Sequence, residues 1–136
     1  VEEWLQSWGA KLVAPAELIL IGSGALLWHG AQCNIEAPLP ENSMDVDPIT
    51  EDESVALLAY DAMIGSEFER EHGWHVNLMP RAVLQEFPDD WAERASIKIY
   101  DRLTVRVPCV ADLLISKLKR GEPRDLKHAQ WAAQLH

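Results

Sequence analysis

Apolar residues recur at helical spacing from the start of the chain. Trp4, Leu5, Trp8 and Leu12 share one face of a short helix over residues 1–13, which Ala14-Pro15 ends. The pattern then becomes a short continuous apolar run, Glu17 to Ile21 (ELILI), which reads as a buried strand. Gly22-Ser23-Gly24 follows, and Ala25 to His29 is helical again. The order is strand, small-residue turn, helix. Residues 31–42, with Pro38, Pro40 and Asn42, read as a loop.

Ser43 to Ile49 (SMDVDPI) alternates, with Met44 and Val46 on one face and Asp45 and Asp47 on the other. Pro48 is expected to end the pairing or mark an edge. Thr50-Glu51-Asp52-Glu53 is a helix start with Thr50 as N-cap, and the helix is expected to run to about Glu71 and stop at Gly73. Trp74 to Met79 alternates a second time, His75 and Asn77 on one face, Val76 and Leu78 on the other. Pro88 to Trp91 turns into a short helical piece. Ala95 to Tyr100 and Leu103 to Val107 form a hairpin around Asp101-Arg102. Ala111 to Arg120 is a helix with Leu113, Leu114 and Leu118 inward. Gly121 caps it, and Pro123 opens a last helix that runs to the end. Helices and strands interleave, so the class is α/β (α+β): a small mixed β-sheet flanked by helices.

The chain has 136 residues, which supports a single domain over 1–136. With 48% apolar and 25% charged residues it has the composition of a folded globule rather than a disordered chain. The net charge of −10 argues against a general polyanion-binding surface, although a bound metal can reverse the field locally. The longest apolar run, Leu18 to Trp28, is interrupted by Gly22 and Gly24 and is too short for a membrane helix. No basic region opens the chain, so no signal peptide is expected. Cys33 and Cys109 have neither metal-ligand nor disulfide-framework spacing, and a reducing, cytoplasmic setting is expected. The six Trp are spread along the chain and form no base-stacking stripe with basic neighbours; large side chains in a small core account for them.

The strongest local chemical feature is Asp45-Val46-Asp47. Carboxylates at i and i+2 on a strand project from one face, their β-carbons roughly 7 Å apart. Both can lean on one hard cation, or on two about 3.5–4 Å apart. Magnesium suits them, since it takes one or two carboxylates and completes its shell with substrate phosphates and water. Taken alone, the same residues are also a solvated strand face with two acids. The second feature is the turn at Gly22, Ser23 and Gly24, where backbone can approach a ligand and the following helix N-terminus can face a phosphate. It has neither the G-x-G-x-x-G spacing, since position 27 is Leu, nor a G-K-[ST]. A tight strand-to-helix turn is its plain structural reading.

The two features occur in an informative order. "LIGSGALLWHG" followed by "ENSMDVDPIT" resembles the nucleotidyltransferase superfamily. The later stretch "VPCVADLLISKLKRGEPRDLKHA" resembles the ending of small bacterial nucleotidyltransferase-like proteins of the toxin–antitoxin and abortive-infection type. Together the two stretches cover residues 16–50 and 103–130.

The resemblance implies a nucleotidyltransferase-like fold and magnesium-dependent transfer of a nucleoside monophosphate from an NTP to an RNA or protein acceptor. By that resemblance Gly22 and Ser23 contact the nucleotide phosphates, Ser43 stands at the Thr/Ser position before the acids, and Asp45 and Asp47 hold the metal. Lys117 and Asp125 come together near the nucleotide. The chain departs from the pattern at three places. Glu41-Asn42-Ser43 lacks the usual basic residue. The strand WHVNLMP offers His75 and Asn77 where a third carboxylate normally stands, with His75 a candidate base. His128 replaces an acid three residues after Asp125. Without the family, Lys117 reads as a snorkelling lysine and Arg124-Asp125 as charges at a helix start. The departures support an alternative: a nucleotidyltransferase fold without turnover, acting as a binding or regulatory component with a cognate toxin or antitoxin partner.

Overall fold

The computed structural model describes residues 1–34, 45–120 and 123–133. The candidate Ser43, with Met44 and the cap at Gly121, lies outside the described residues.

Helix α1 (Glu2–Lys11) buries Trp4, Leu5 and Trp8, the face its spacing predicts, and Glu2 and Glu3 in its first turn complement the helix dipole. Strand β1 (Ala16–Ile21) runs without a loop into α2 (Gly22–Gln32), so the small-residue turn is itself the first turn of the helix. Strand β2 (Asp45–Ile49) is followed by α3 (Glu53–Tyr60) and α4 (Glu67–His72). Strand β3 (His75–Val76) is only two residues long. A 3₁₀ turn (Arg81–Glu86) and α5 (Trp91–Arg94) lead to the hairpin β4 (Ser96–Tyr100) and β5 (Leu103–Val107). Helices α6 (Val110–Arg120) and α7 (Pro123–Ala132) close the described chain.

The five strands form one mixed sheet in the order β3-β2-β1-β5-β4. Strand β1 pairs antiparallel with β2 and parallel with β5, and β2 pairs parallel with β3. Ala16, Leu18 and Leu20 of β1 lie on the same buried face as Leu103, Val105 and Val107 of β5. The other face carries Glu17, Thr104 and Arg106 and the exposed Ile97 and Ile99 of the edge strand β4. This is the mixed α/β architecture expected from the interleaved pattern. Gly9 brings α1 against β4, since a Cβ there would lie 1.8 Å from the Tyr100 carbonyl oxygen. No helix among the described residues is long and apolar enough to cross a membrane.

Four expectations need correction. The helix expected from Thr50 to Glu71 is two helices. Gly65 adopts φ +84 and Ser66 caps α4, its hydroxyl accepting the Glu69 N–H at 3.2 Å. The N-cap of α3 is Asp52; Thr50 instead donates its hydroxyl to the Glu17 carbonyl at 2.7 Å, and Asp52 accepts the Glu17 N–H at 2.8 Å. Pro48 neither ends β2 nor lies at the sheet edge, and it stands opposite Leu20 of β1. Its carbonyl accepts from Met79 N–H, and a strand residue points N–H and C=O to one side, so its missing donor falls beyond the end of the short β3. Leu118 is 52% exposed, whereas Ser116 and Lys117 are buried.

Candidate functional site

The junction of β1 and α2 is built around a close approach. Register places Ile21 opposite Asp47, so the first residue of α2 sits beside that carboxylate. Gly22 has φ +71, a conformation glycine adopts without the Cβ penalty. A Cβ on Gly22 would lie 2.6 Å from Asp47 Oδ2 and 3.5 Å from its Cγ. Two residues on, a Cβ on Gly24 would lie 3.0 Å from Val46 Cγ1, so α2 rests directly on β2. Ser23, between them, is buried.

Asp45 and Asp47 alternate with the buried Val46 and Pro48, and both are half-buried on one face of β2. Asp45 is paired in register with His75 of β3. His75 Nδ1 lies 2.6 Å from Glu69 Oε2 on α4, close but out of hydrogen-bond alignment. The other oxygen of Glu69 accepts the Gly65 N–H at 3.0 Å. Asn77 is exposed, its backbone N–H bonds the Val46 carbonyl, and its amide reaches Met79 Sδ at 3.5 Å.

The chain's last helices reach the same place. Lys117 lines a cavity of about 120 Å³ together with Gly22, Asp47, Glu86 and Ser116. Lys117 is 3% exposed, Asp125 and His128 are fully buried, and all three meet: Lys117 Nζ is 3.0 Å from His128 Nδ1 and 3.6 Å from Asp125 Oδ1. The lysine side chain is therefore buried and partnered, not snorkelling. Asp112, five residues earlier on α6, is also buried and takes two hydrogen bonds from Arg94, at 3.1 and 3.0 Å. That pair ties α5 to α6 and lies outside the cavity.

Glu86 escaped the sequence reading. It ends the 3₁₀ turn and accepts the Ser116 hydroxyl at 3.1 Å across the cavity. No group of three His, Cys, Asp or Glu side chains among the described residues comes together to hold a metal by itself. A larger cavity, about 480 Å³, lies among α1, α4 and Trp74 and contains none of Gly22, Asp47 and Lys117. Size alone would favour the larger one as a site. The smaller one has the convergent charged groups and the glycine-lined approach, which are the features that chemistry on a phosphate requires.

A protein-family model described as "Nucleotidyltransferase of unknown function (DUF6036)" matches residues 10–133, which contain every element of this site. No curated protein and no solved structure matches the chain. With nearly its whole length inside that match, the chain belongs to the DUF6036 family of nucleotidyltransferases, whose function is unknown.

Proposed function

We propose that the chain transfers a nucleoside monophosphate from an NTP to an acceptor hydroxyl with the help of magnesium. The observation that carries this reading is the contact of Asp47 with Gly22, with Asp45 on the same face of β2. It places an acidic pair at the mouth of a strand–helix junction where backbone N–H groups can receive phosphate oxygens. The donor set fits the ion. Two carboxylates without a third side-chain ligand suit a cation that completes its shell with phosphate oxygens and water. Asp45 and Asp47 would hold it, and it would neutralise charge on the transferred phosphoryl group.

The chain's own residues supply positioning. Gly22 and Ser23 open α2 toward the β- and γ-phosphates. Lys117 offers a fixed positive charge at the cavity wall, held by Asp125 and His128. His75 pairs in register with Asp45 and approaches Glu69, which supports a role for it as the base that would accept the proton of the acceptor hydroxyl. The acceptor oxygen forms the new bond to phosphorus and pyrophosphate leaves.

A second reading keeps the fold and drops turnover. It is favoured by Asn77, an exposed amide where a third carboxylate would stand, and by a cavity of about 120 Å³, well below the size of sites that enclose a ligand. Under it the protein is a nucleotide-binding or regulatory component with a protein partner, of the toxin–antitoxin kind.

Thermal shift with each NTP, with and without magnesium, tests the site. A magnesium-dependent stabilisation that disappears in Asp45→Ala and Asp47→Ala supports it, and the absence of any nucleotide shift would leave only the fold. Transfer of label from α-labelled NTP to bulk RNA or to protein then separates the two readings. Binding without transfer selects the second.

A further inference from the structure

The six tryptophans, dispersed in sequence, do not all disperse in space. Trp4 packs edge-on against Trp8 with ring centroids 4.7 Å apart and against Trp74 at 5.5 Å. Phe68 adds an edge contact to Trp74 at 4.9 Å and stacks on His72 at 4.2 Å. These rings form the wall of the cavity of about 480 Å³ between α1 and α4, a volume within the range of small-molecule sites.

The rim has one dominant sign. Glu3, Asp61, Glu67 and Glu71 line the cavity and are exposed, and Lys11 and His72 are the basic side chains set against them. Aromatic faces attract cations through their quadrupole, and carboxylates at the mouth raise the local cation concentration. The same rim repels phosphate, so this hollow is not an extension of the nucleotide site. Its contents differ in kind from the glycine, lysine and paired acids around Gly22.

We propose that this cavity is a binding site for a small organic cation, an alkylated ammonium or a guanidinium, separate from the β1–α2 junction. The assignment stands whether or not the chain turns over a nucleotide.

The test is titration of the intact chain with tetramethylammonium chloride at constant ionic strength, read by intrinsic tryptophan fluorescence. Tert-butanol serves as the neutral control of similar shape. A saturable change is expected with tetramethylammonium, at least tenfold weaker with tert-butanol. The double variant Glu67→Gln/Glu71→Gln, checked for fold by circular dichroism, should weaken tetramethylammonium binding at least fivefold. Asp89→Asn, which removes an exposed acid outside the cavity, should leave it unchanged. A linear response, equal binding of tert-butanol, or equal weakening by Asp89→Asn would overturn the proposal. Binding of a tri-arginine peptide more than tenfold tighter than ethylguanidinium would overturn the small-molecule assignment in favour of a protein partner.

Discussion

Asp47 Oδ2 stands where a side chain on Gly22 would begin, 2.6 Å from the position of the missing Cβ. The contact joins the C-terminal end of β1 to the acidic strand β2 and sets how close a carboxylate comes to the first turn of α2. It also separates two roles of glycine, conformational freedom and space, which substitution can measure independently.

Gly22→Ala should lose both. A Cβ at φ +71 costs about 1 kcal/mol, and displacing the Asp47 carboxylate brings the total to about 2–3 kcal/mol. Gly65 is the internal control, because its φ is +84 and nothing lies within 4 Å of its Cβ position. Gly65→Ala should cost only about 1 kcal/mol. Urea midpoints of the two variants give the difference. Equal losses would mean that Asp47 moves aside freely and is not held at the junction.

The buried trio of Lys117, Asp125 and His128 should behave as a unit. Lys117→Met leaves Asp125, which is fully buried, without its nearby ammonium, and Asp125→Asn does the converse. Each should cost about 3 kcal/mol. Their costs should not add: the double variant should be more stable than the sum of the singles by about 1–3 kcal/mol. A double-mutant cycle in urea checks this, and strict additivity would mean that the 3.6 Å approach carries no coupling.

Legibility in the sequence followed the range of the forces involved. The face of α1, the strand β1 and the hairpin around Asp101 are encoded by local period and turn chemistry, and they form where the pattern puts them. The break before α4 was also written locally, since Gly65-Ser66 followed by Glu69 is a turn and a capping box, but the apolar period running through it hid the signal. Leu118 and Lys117 exchanged expected roles for a different reason. Hydrophobicity ranks leucine inward, whereas the inward position is set by Asp125 and His128 on another helix. Glu86 had no local signal, because only the 3₁₀ turn and the packing of α6 bring it to Ser116. The Asp45/Asp47 face and its neighbour Gly22 were legible as a spacing, and their contact is a matter of register between β1 and β2.

Acid should loosen the N-terminal helix in a defined window. Glu2 Oε1 accepts from Lys98 Nζ, Tyr100 OH and Gln32 Nε2, all at 2.7 Å. These hydrogen bonds, the one from Lys98 above all, hold its carboxyl down at about 2 against an ordinary value of 4.5. A depressed carboxyl contributes stability that is complete above the unfolded value and is lost as pH falls toward the folded one. The window is therefore pH 4.5 to 2. The group is about one-third exposed, so solvent screening leaves a contribution of about 1 kcal/mol. Glu2→Gln should lower stability by that amount at pH 7 and converge on the parent near pH 2. A gap that stays constant with pH would remove the assignment.

A second acid-sensitive point lies at higher pH and acts on α2. His29 Nε2 is 2.8 Å from the Pro108 carbonyl oxygen, so the ring donates from Nε2 and pins the far end of α2 to the link between β5 and α6. Burial lowers its pKa below the ordinary 6.5, outweighing the opposite pull of the Pro108 carbonyl. The neutral ring is the folded form, so its contribution is complete above pH 6.5 and is lost as pH falls through the lowered value. His29→Gln keeps a side-chain N–H donor without a group that titrates there, so it should flatten the part of the stability profile below pH 6.5 that His29 supplies. Histidine ring NMR gives the direct reading, a His29 midpoint below that of a model peptide. A midpoint at or above 6.5 would mean that burial does not govern this ring. Because α2 begins at Gly22, the cost of charging the buried His29 ring should also weaken any magnesium-dependent nucleotide binding on acidification, and His29→Gln should restore part of that loss.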